Sequence, residues 1–113
     1  MSGQFWKDLN DDLKDPDFAR AYAAESVRIA TIDALVRELD ELRESAGLSK
    51  AQLARAIGSD PSVVRRMFSS ASVNPTVGTL TEIAAALGMR VALVPMSAED
   101  QEQITEPMRS AVA

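Results

Sequence analysis

Arg65 and Arg66 are adjacent guanidinium groups in the stretch KAQLARAIGSDPSVVRRMFS, Lys50 to Ser69, which carries the strongest chemical signal in the chain. A guanidinium presents planar, paired donors that match phosphate oxygens or the edge of guanine. The other outward positions of the same segment are Asp60, Pro61, Ser62, Val63 and Ser69, so the face holds two cations and no carboxylate beyond Asp60, which is placed to cap a helix. Such a face suits the major groove of DNA. Catalysis has no comparable constellation. The chain contains no Cys and no His, which removes disulfides, thiolate ligands, the commonest metal ligand and the usual general base. We therefore expect no enzyme, no cofactor and no metal. The carboxylates Asp8, Asp11, Asp12, Asp15 and Asp17 crowd the N-terminal region but lack the Gly and the distal Glu of a calcium loop.

The elements that must hold the arginines follow from the apolar pattern. Leu53, Ala54 and Ile57 give a first short helix its inward face, and Val64, Met67 and Phe68 give a second its own. Gly58 stands between them, where a positive φ lets the chain turn sharply. Ala54 lies where the two helices cross, and a larger side chain would part them. This is the pattern of a helix-turn-helix. Ser49 caps the first helix, with Gln52 completing a capping box, and Asp60 caps the second ahead of Pro61. After a polar loop, Ser69 to Asn74, Pro75-Thr76 opens a helix over Val77 to Leu87 whose Leu80, Ile83, Ala84 and Leu87 face inward, and Gly88 stops it.

Upstream, Asp15-Pro16-Asp17 starts a helix with Asp15 as N-cap. Phe18 to Ser45 lacks Gly and Pro, and Ile29, Ile32, Val36, Leu39 and Leu42 recur at helical spacing beside Leu35. Pattern alone leaves open whether residues 16–45 form one helix or two with a break near Glu25-Ser26. Downstream, Val91 to Val94 favours a short β-strand that ends at Pro95 and needs a partner strand. Residues 97–113 read as an acidic, mobile tail. The expected fold is all-α: a compact helix-turn-helix bundle over 29–95 with that terminal strand, an N-terminal helical extension over 1–28, and the tail over 96–113. Phe5, Trp6, Leu9 and Leu13 either fold back on the long helix or form a partner-binding arm.

A length of 113 residues, with 26% charged and 46% hydrophobic residues, fits one small domain with extensions. A core of that size is marginal and gains from oligomerisation. The net charge of −5 is unevenly spread. Residues 1–45 hold six Lys/Arg against eleven Asp/Glu, residues 46–95 five against two, and residues 96–113 one against four. The basic part thus coincides with the helix-turn-helix, and screening keeps distant carboxylates from cancelling it. The opening residues MSGQFWKDL lack the form of a signal segment, and no apolar run is of bilayer length, so no membrane association and a cytoplasmic location are expected.

The segment from Gly47 to Gly88 resembles the Xre, or lambda-repressor-like, helix-turn-helix superfamily. The resemblance rests on Leu48-Ser49, Leu53-Ala54, Gly58, Val64, Asn74-Pro75-Thr76 and the ending Leu80, Ile83-Ala84, Leu87-Gly88. With LKDPDFARAY ahead of it and RVALVP behind, the wider layout is similar to HigA-type antitoxins of bacterial toxin–antitoxin pairs. The resemblance implies that the helix from Pro61 enters the major groove while the helix from Lys50 lies over the backbone. It makes Ser62, Val63, Arg65 and Arg66 the candidates for base contact, the arginines toward guanine and Val63 toward the thymine methyl. Candidates for phosphate contact are Ser49, Lys50, Gln52, Ser69, Ser70, Ser72, Asn74 and Thr76. Many family members carry Gln where this chain has Lys50 and Pro61, so adenine reading through a glutamine at the start of the second helix is not available here. The implied partners are a palindromic double-stranded operator, a second copy of the chain and a toxin protein bound through Phe5, Trp6, Leu9 and Leu13. The alternatives are a stand-alone or phage-type repressor, and a protein-interaction module that has lost DNA binding.

Overall fold

The computed structural model describes residues 2–69 and 74–110. They form two compact units, one comprising residues 2–30 and 94–110, the other residues 31–69 and 74–93. Helix α1 runs Ser2–Asp12 and α2 Pro16–Ser45. Helix α2 begins as its sequence dictates, with the Asp17 amide donating to the Asp15 carboxylate at 2.9 Å, and it continues past Glu25-Ser26 as one helix. Nothing in residues 18–45 removes an amide donor or frees the backbone, so a continuous hydrogen-bond ladder is the cheapest state.

The second unit holds α3 (Lys50–Ala56), α4 (Pro61–Ser69) and α5 (Val77–Ala86) around one core with the end of α2. Leu53 of α3, Val64 of α4 and Ile83 of α5 are fully buried. Leu39, Ala54, Met67 and Ala84 complete the buried set, and Val36, Ile57, Phe68, Leu80 and Leu87 pack against it. Each fully buried aliphatic side chain contributes about 1.5–3 kcal/mol relative to exposure. Gly58 closes α3 at φ 65°, so that its amide reaches the Arg55 carbonyl at 3.1 Å and the Ser59 amide reaches Ala54 at 2.9 Å. This doubly bonded closure engages the Ala54 and Arg55 carbonyls near the end of α3 and turns the chain toward α4.

Two expectations for the C-terminal region need revision. Residues 90–95 form no strand, and no strand occurs among the described residues. A strand needs a paired edge, and Arg90 to Pro95 make no backbone–backbone hydrogen bond among the described residues. Leu93 is wholly exposed. Where the sequence suggests a mobile acidic tail, the described residues are helical through α6 (Ala98–Asp100), a π-helical stretch Gln101–Thr105 and α7 (Glu106–Ser110). Ser97 supplies the N-cap by accepting from the Asp100 amide at 3.1 Å, and Glu99 and Asp100 suit the positive end of the dipole. Pro107 lacks an amide and crowds the carbonyl four residues back, and the wider π-helical turn directly before α7 accommodates it.

Candidate nucleic-acid interface

Helix α4 presents two chemically opposite sides. Val64 and Met67 are buried and Phe68 is half-buried against the core, whereas Ser62, Val63, Arg65, Arg66 and Ser69 are exposed. Positions 62, 65, 66 and 69 follow the i, i+3, i+4, i+7 rule, so two hydroxyls and two guanidinium groups line one stripe, with Val63 beside it. Neither arginine forms an ion pair among the described residues. Their donors are therefore open to an external acceptor, and the core fixes the direction in which the helix offers them.

The start of α4 is set by Asp60, whose carboxylate accepts from the Ser62 amide at 2.9 Å. That amide bond, then the Ser62 hydroxyl and the charge of Arg65, hold the Asp60 carboxyl below the usual carboxylate range. Asp60 thus stays anionic next to the face without forming a salt bridge that would occupy Arg65.

The phosphate candidates divide by what their donors already do. Ser49 and Gln52 form the expected capping box, the Gln52 amide donating to the Ser49 hydroxyl at 3.0 Å and the Ser49 amide to the Gln52 side-chain oxygen at 2.8 Å. Both use acceptors for this, which leaves the Gln52 side-chain NH2 and the Ser49 O–H to donate outward. Lys50 is half-buried and Asn74 exposed, and neither side chain is engaged among the described residues. Ser69 instead donates its hydroxyl to the Arg65 carbonyl, and Thr76 donates to the Thr79 hydroxyl at 3.0 Å while accepting the Thr79 amide at 3.1 Å. Those two hydroxyls serve their own helices first. Ser70 and Ser72 lie outside the described residues.

Sequence reasoning missed Arg43. Its guanidinium is nearly buried, bonds the Asp40 carboxylate at 2.9 Å and the Leu48 carbonyl at 2.7 Å, and so ties the end of α2 to the loop that leads into the Ser49 cap. The i, i+3 spacing of Asp40 and Arg43 was a visible sign of the pair, but the Leu48 carbonyl becomes available only in the folded loop. Arg55, exposed on α3, is a further cation not singled out.

The region matched by comparison with known families coincides with this arrangement. A helix-turn-helix family model matches residues 39–94. The helix-turn-helix match begins at Leu39, the residue of α2 that enters the core, and ends one residue beyond the second compact unit. The match supports a DNA-binding transcriptional regulator, and the matched family is generally not enzymatic. No curated protein and no solved structure gave a significant match. No described helix is long and apolar enough to cross a membrane.

Phe5, Trp6, Leu9 and Leu13 belong to the other unit. Phe5 and Trp6 are more than half exposed and meet edge to face at 5.2 Å between ring centroids, while Leu9 and Leu13 are half-buried. A second aromatic pair, Phe18 and Tyr22, stacks at 6.2 Å on α2 and was not anticipated, although its i, i+4 spacing was plain.

Proposed function

We propose that this protein is a sequence-specific DNA-binding regulator that acts as a homodimer on a palindromic operator, and that it is the autoregulating antitoxin of a toxin–antitoxin pair. The observation that carries the DNA reading is the Ser62, Arg65, Arg66, Ser69 stripe, exposed and free of carboxylate partners on a helix whose opposite side is locked in the core. Arg65 and Arg66 would pair with guanine edges and Val63 would meet a thymine methyl. Lys50, Ser49, Gln52 and Asn74 would hold phosphates and set the register. One such helix spans only a few base pairs, so two copies on a two-fold site supply the specificity that one lacks.

The antitoxin reading is supported by a different surface. Phe5 and Trp6 stand exposed on a helix that also carries Asp8, Asp11 and Asp12, a combination that suits a partner with a cationic rim and an apolar pocket. A toxin that acts on RNA would supply the cationic surface. The test is a mobility shift on the chain's own promoter, followed by co-purification with the product of the adjacent reading frame. Deleting residues 1–14 should abolish capture of that product and leave the promoter shift intact. A promoter shift with no toxin gene nearby would favour the stand-alone repressor, and no shift on any promoter fragment would favour the interaction module.

A further inference from the structure

The hydrogen bonds between α2 and α3 converge on one peptide group. Gly47 takes φ 72°, and the Leu48 amide turns back to the Arg43 carbonyl at 3.2 Å while the Gly47 amide meets that of Glu44 at 3.0 Å. The Arg43 side chain reaches past this turn and donates from Nη1 to the Leu48 carbonyl at 2.7 Å. One residue thus holds Leu48 by its amide and by its carbonyl. The Leu48 carbonyl and the Ser49 amide belong to the same planar peptide, and that amide donates to the Gln52 side-chain oxygen at 2.8 Å. The plane is therefore fixed from both edges. Asp40 in turn orients the guanidinium, accepting from Nε at 2.9 Å and lying 2.8 Å from Nη2, with the Glu44 carboxylate 3.5 Å from the same nitrogen. The arginine side chain is only 12% exposed, which keeps water from competing for these charge-assisted bonds.

We propose that Arg43 is a positioning residue for phosphate contact: through the Leu48–Ser49 peptide it sets the direction in which Ser49, Lys50 and Gln52 are offered to the DNA backbone. The proposal rests on the DNA-binding reading and concerns the phosphate side of that interface. Turning the Leu48–Ser49 plane would change φ at Ser49, which stands at φ −75° and ψ 163°, the extended conformation that an N-cap needs. Arg43 holds the plane against that rotation. A guanidinium that donates to a carbonyl also polarises the peptide and strengthens donation from the N–H at its other edge. The Gln52 oxygen is steadied inward, and its NH2 is left to face outward. Arg43 does this with its charge already paired to Asp40, so it acts by geometry and not by attraction for DNA. Contacts ordered before binding need not be ordered during it, which raises affinity for any duplex alike. A lysine would keep the charge but lacks the planar fork that holds Asp40 and the Leu48 carbonyl together.

Fluorescence anisotropy of the full chain on its own promoter duplex and on a scrambled duplex tests this, using Arg43→Met, Arg43→Lys, Gln52→Ala and the Arg43→Met, Gln52→Ala double variant, with folding checked by circular dichroism. Arg43→Met should weaken binding to both duplexes by the same factor, about tenfold, as one or two side chains must then be ordered on binding. Arg43→Lys should recover little of that loss. The double variant should lose little beyond the larger single loss, because both residues act on the same contacts. Should Arg43→Met not fold, Asp40→Asn keeps the Leu48 bond but loosens its anchor, and it should give a smaller loss that is again equal on the two duplexes. If the unmodified chain binds no promoter fragment, the DNA-binding reading fails and this proposal with it. If the unmodified chain binds, the positioning role is overturned and the DNA-binding reading stands on any of four results: folded Arg43→Met, or Asp40→Asn in its place, binds as tightly as the unmodified chain; the loss is confined to the promoter duplex; Arg43→Lys binds like the unmodified chain; or the two single losses add in full.

Discussion

Helices α1 and α4 are of similar length, and each exposes a chemically distinctive face, yet the two faces are of opposite kinds. On α4 the large apolar residues are inside and the exposed stripe is hydroxyl and guanidinium. On α1 the two aromatic residues are outside, beside carboxylates. The core determines the first arrangement, because Val64 and Met67 can be buried only if Arg65 and Arg66 point away. No such packing accounts for the second, since Phe5 and Trp6 lie outside the buried cluster. The difference separates two uses of a surface. Rigidly aimed donors suit a fixed, anionic, regularly spaced target such as a duplex, whereas exposed aromatic rings suit a protein pocket that removes them from water.

The largest expected effect separates the two regions by stability. Leu53→Ala should lower unfolding free energy by about 2–5 kcal/mol, because it opens a cavity among Val64, Ile83 and their neighbours. Trp6→Ala removes only an exposed ring and its contact with Phe5, so it should cost about 1 kcal/mol or less. Denaturant titration of both variants checks the contrast, and equal losses would place Trp6 in the core. Next in size, Arg65→Ala or Arg66→Ala should weaken operator binding by about 1–3 kcal/mol with an unchanged unfolding midpoint. Fluorescence anisotropy with operator and scrambled duplexes reads both affinity and specificity.

Much of this contrast was legible in the sequence because it is local. The Ser49–Gln52 box, the Asp60–Ser62 cap and the Thr76–Thr79 cap each join residues two or three apart, and all formed where the residue types placed them. The opposition of Val64 and Met67 to the two arginines needs only the helical period. Strand formation at Val91 to Val94 failed for the converse reason. Branched residues give that segment β-propensity, but pairing requires a second edge that no described residue supplies. The helix after Ser97 was obscured by Pro107 and by weak apolar periodicity, although the Ser97 cap and the acidic first turn were in view. Ile29 fits the helical period of the core residues, yet it is half exposed and the core begins only at Val36. Periodicity gives a face and not the point at which a partner helix stops covering it.

Smaller effects sharpen the account. Lys50→Ala should weaken binding to all sequences alike and make the salt dependence shallower by about one logarithmic unit. A loss confined to one operator variant would instead make Lys50 a reader of bases. Asp60 gives a pH dependence of known sign. Its folded carboxyl is acidified by Ser62 and Arg65, so its capping contribution is present above the ordinary carboxylate range and is lost as pH falls through the lowered folded value. NMR titration of the Asp60 carboxyl should show a midpoint below that of an unstructured Asp, and Asp60→Asn should flatten the acid limb of the stability curve slightly. A midpoint at or above the ordinary value would mean that the Ser62 amide does not hold the carboxylate in solution.

The most direct test of the central claim is amide and side-chain chemical-shift mapping while a duplex of the chain's own promoter is added. The largest changes are expected at Ser62, Val63, Arg65 and Arg66, smaller ones at Ser49, Lys50, Gln52 and Asn74, and none at Phe5 or Trp6. Changes centred on the α1 aromatics, with α4 unmoved at saturation, would contradict that claim.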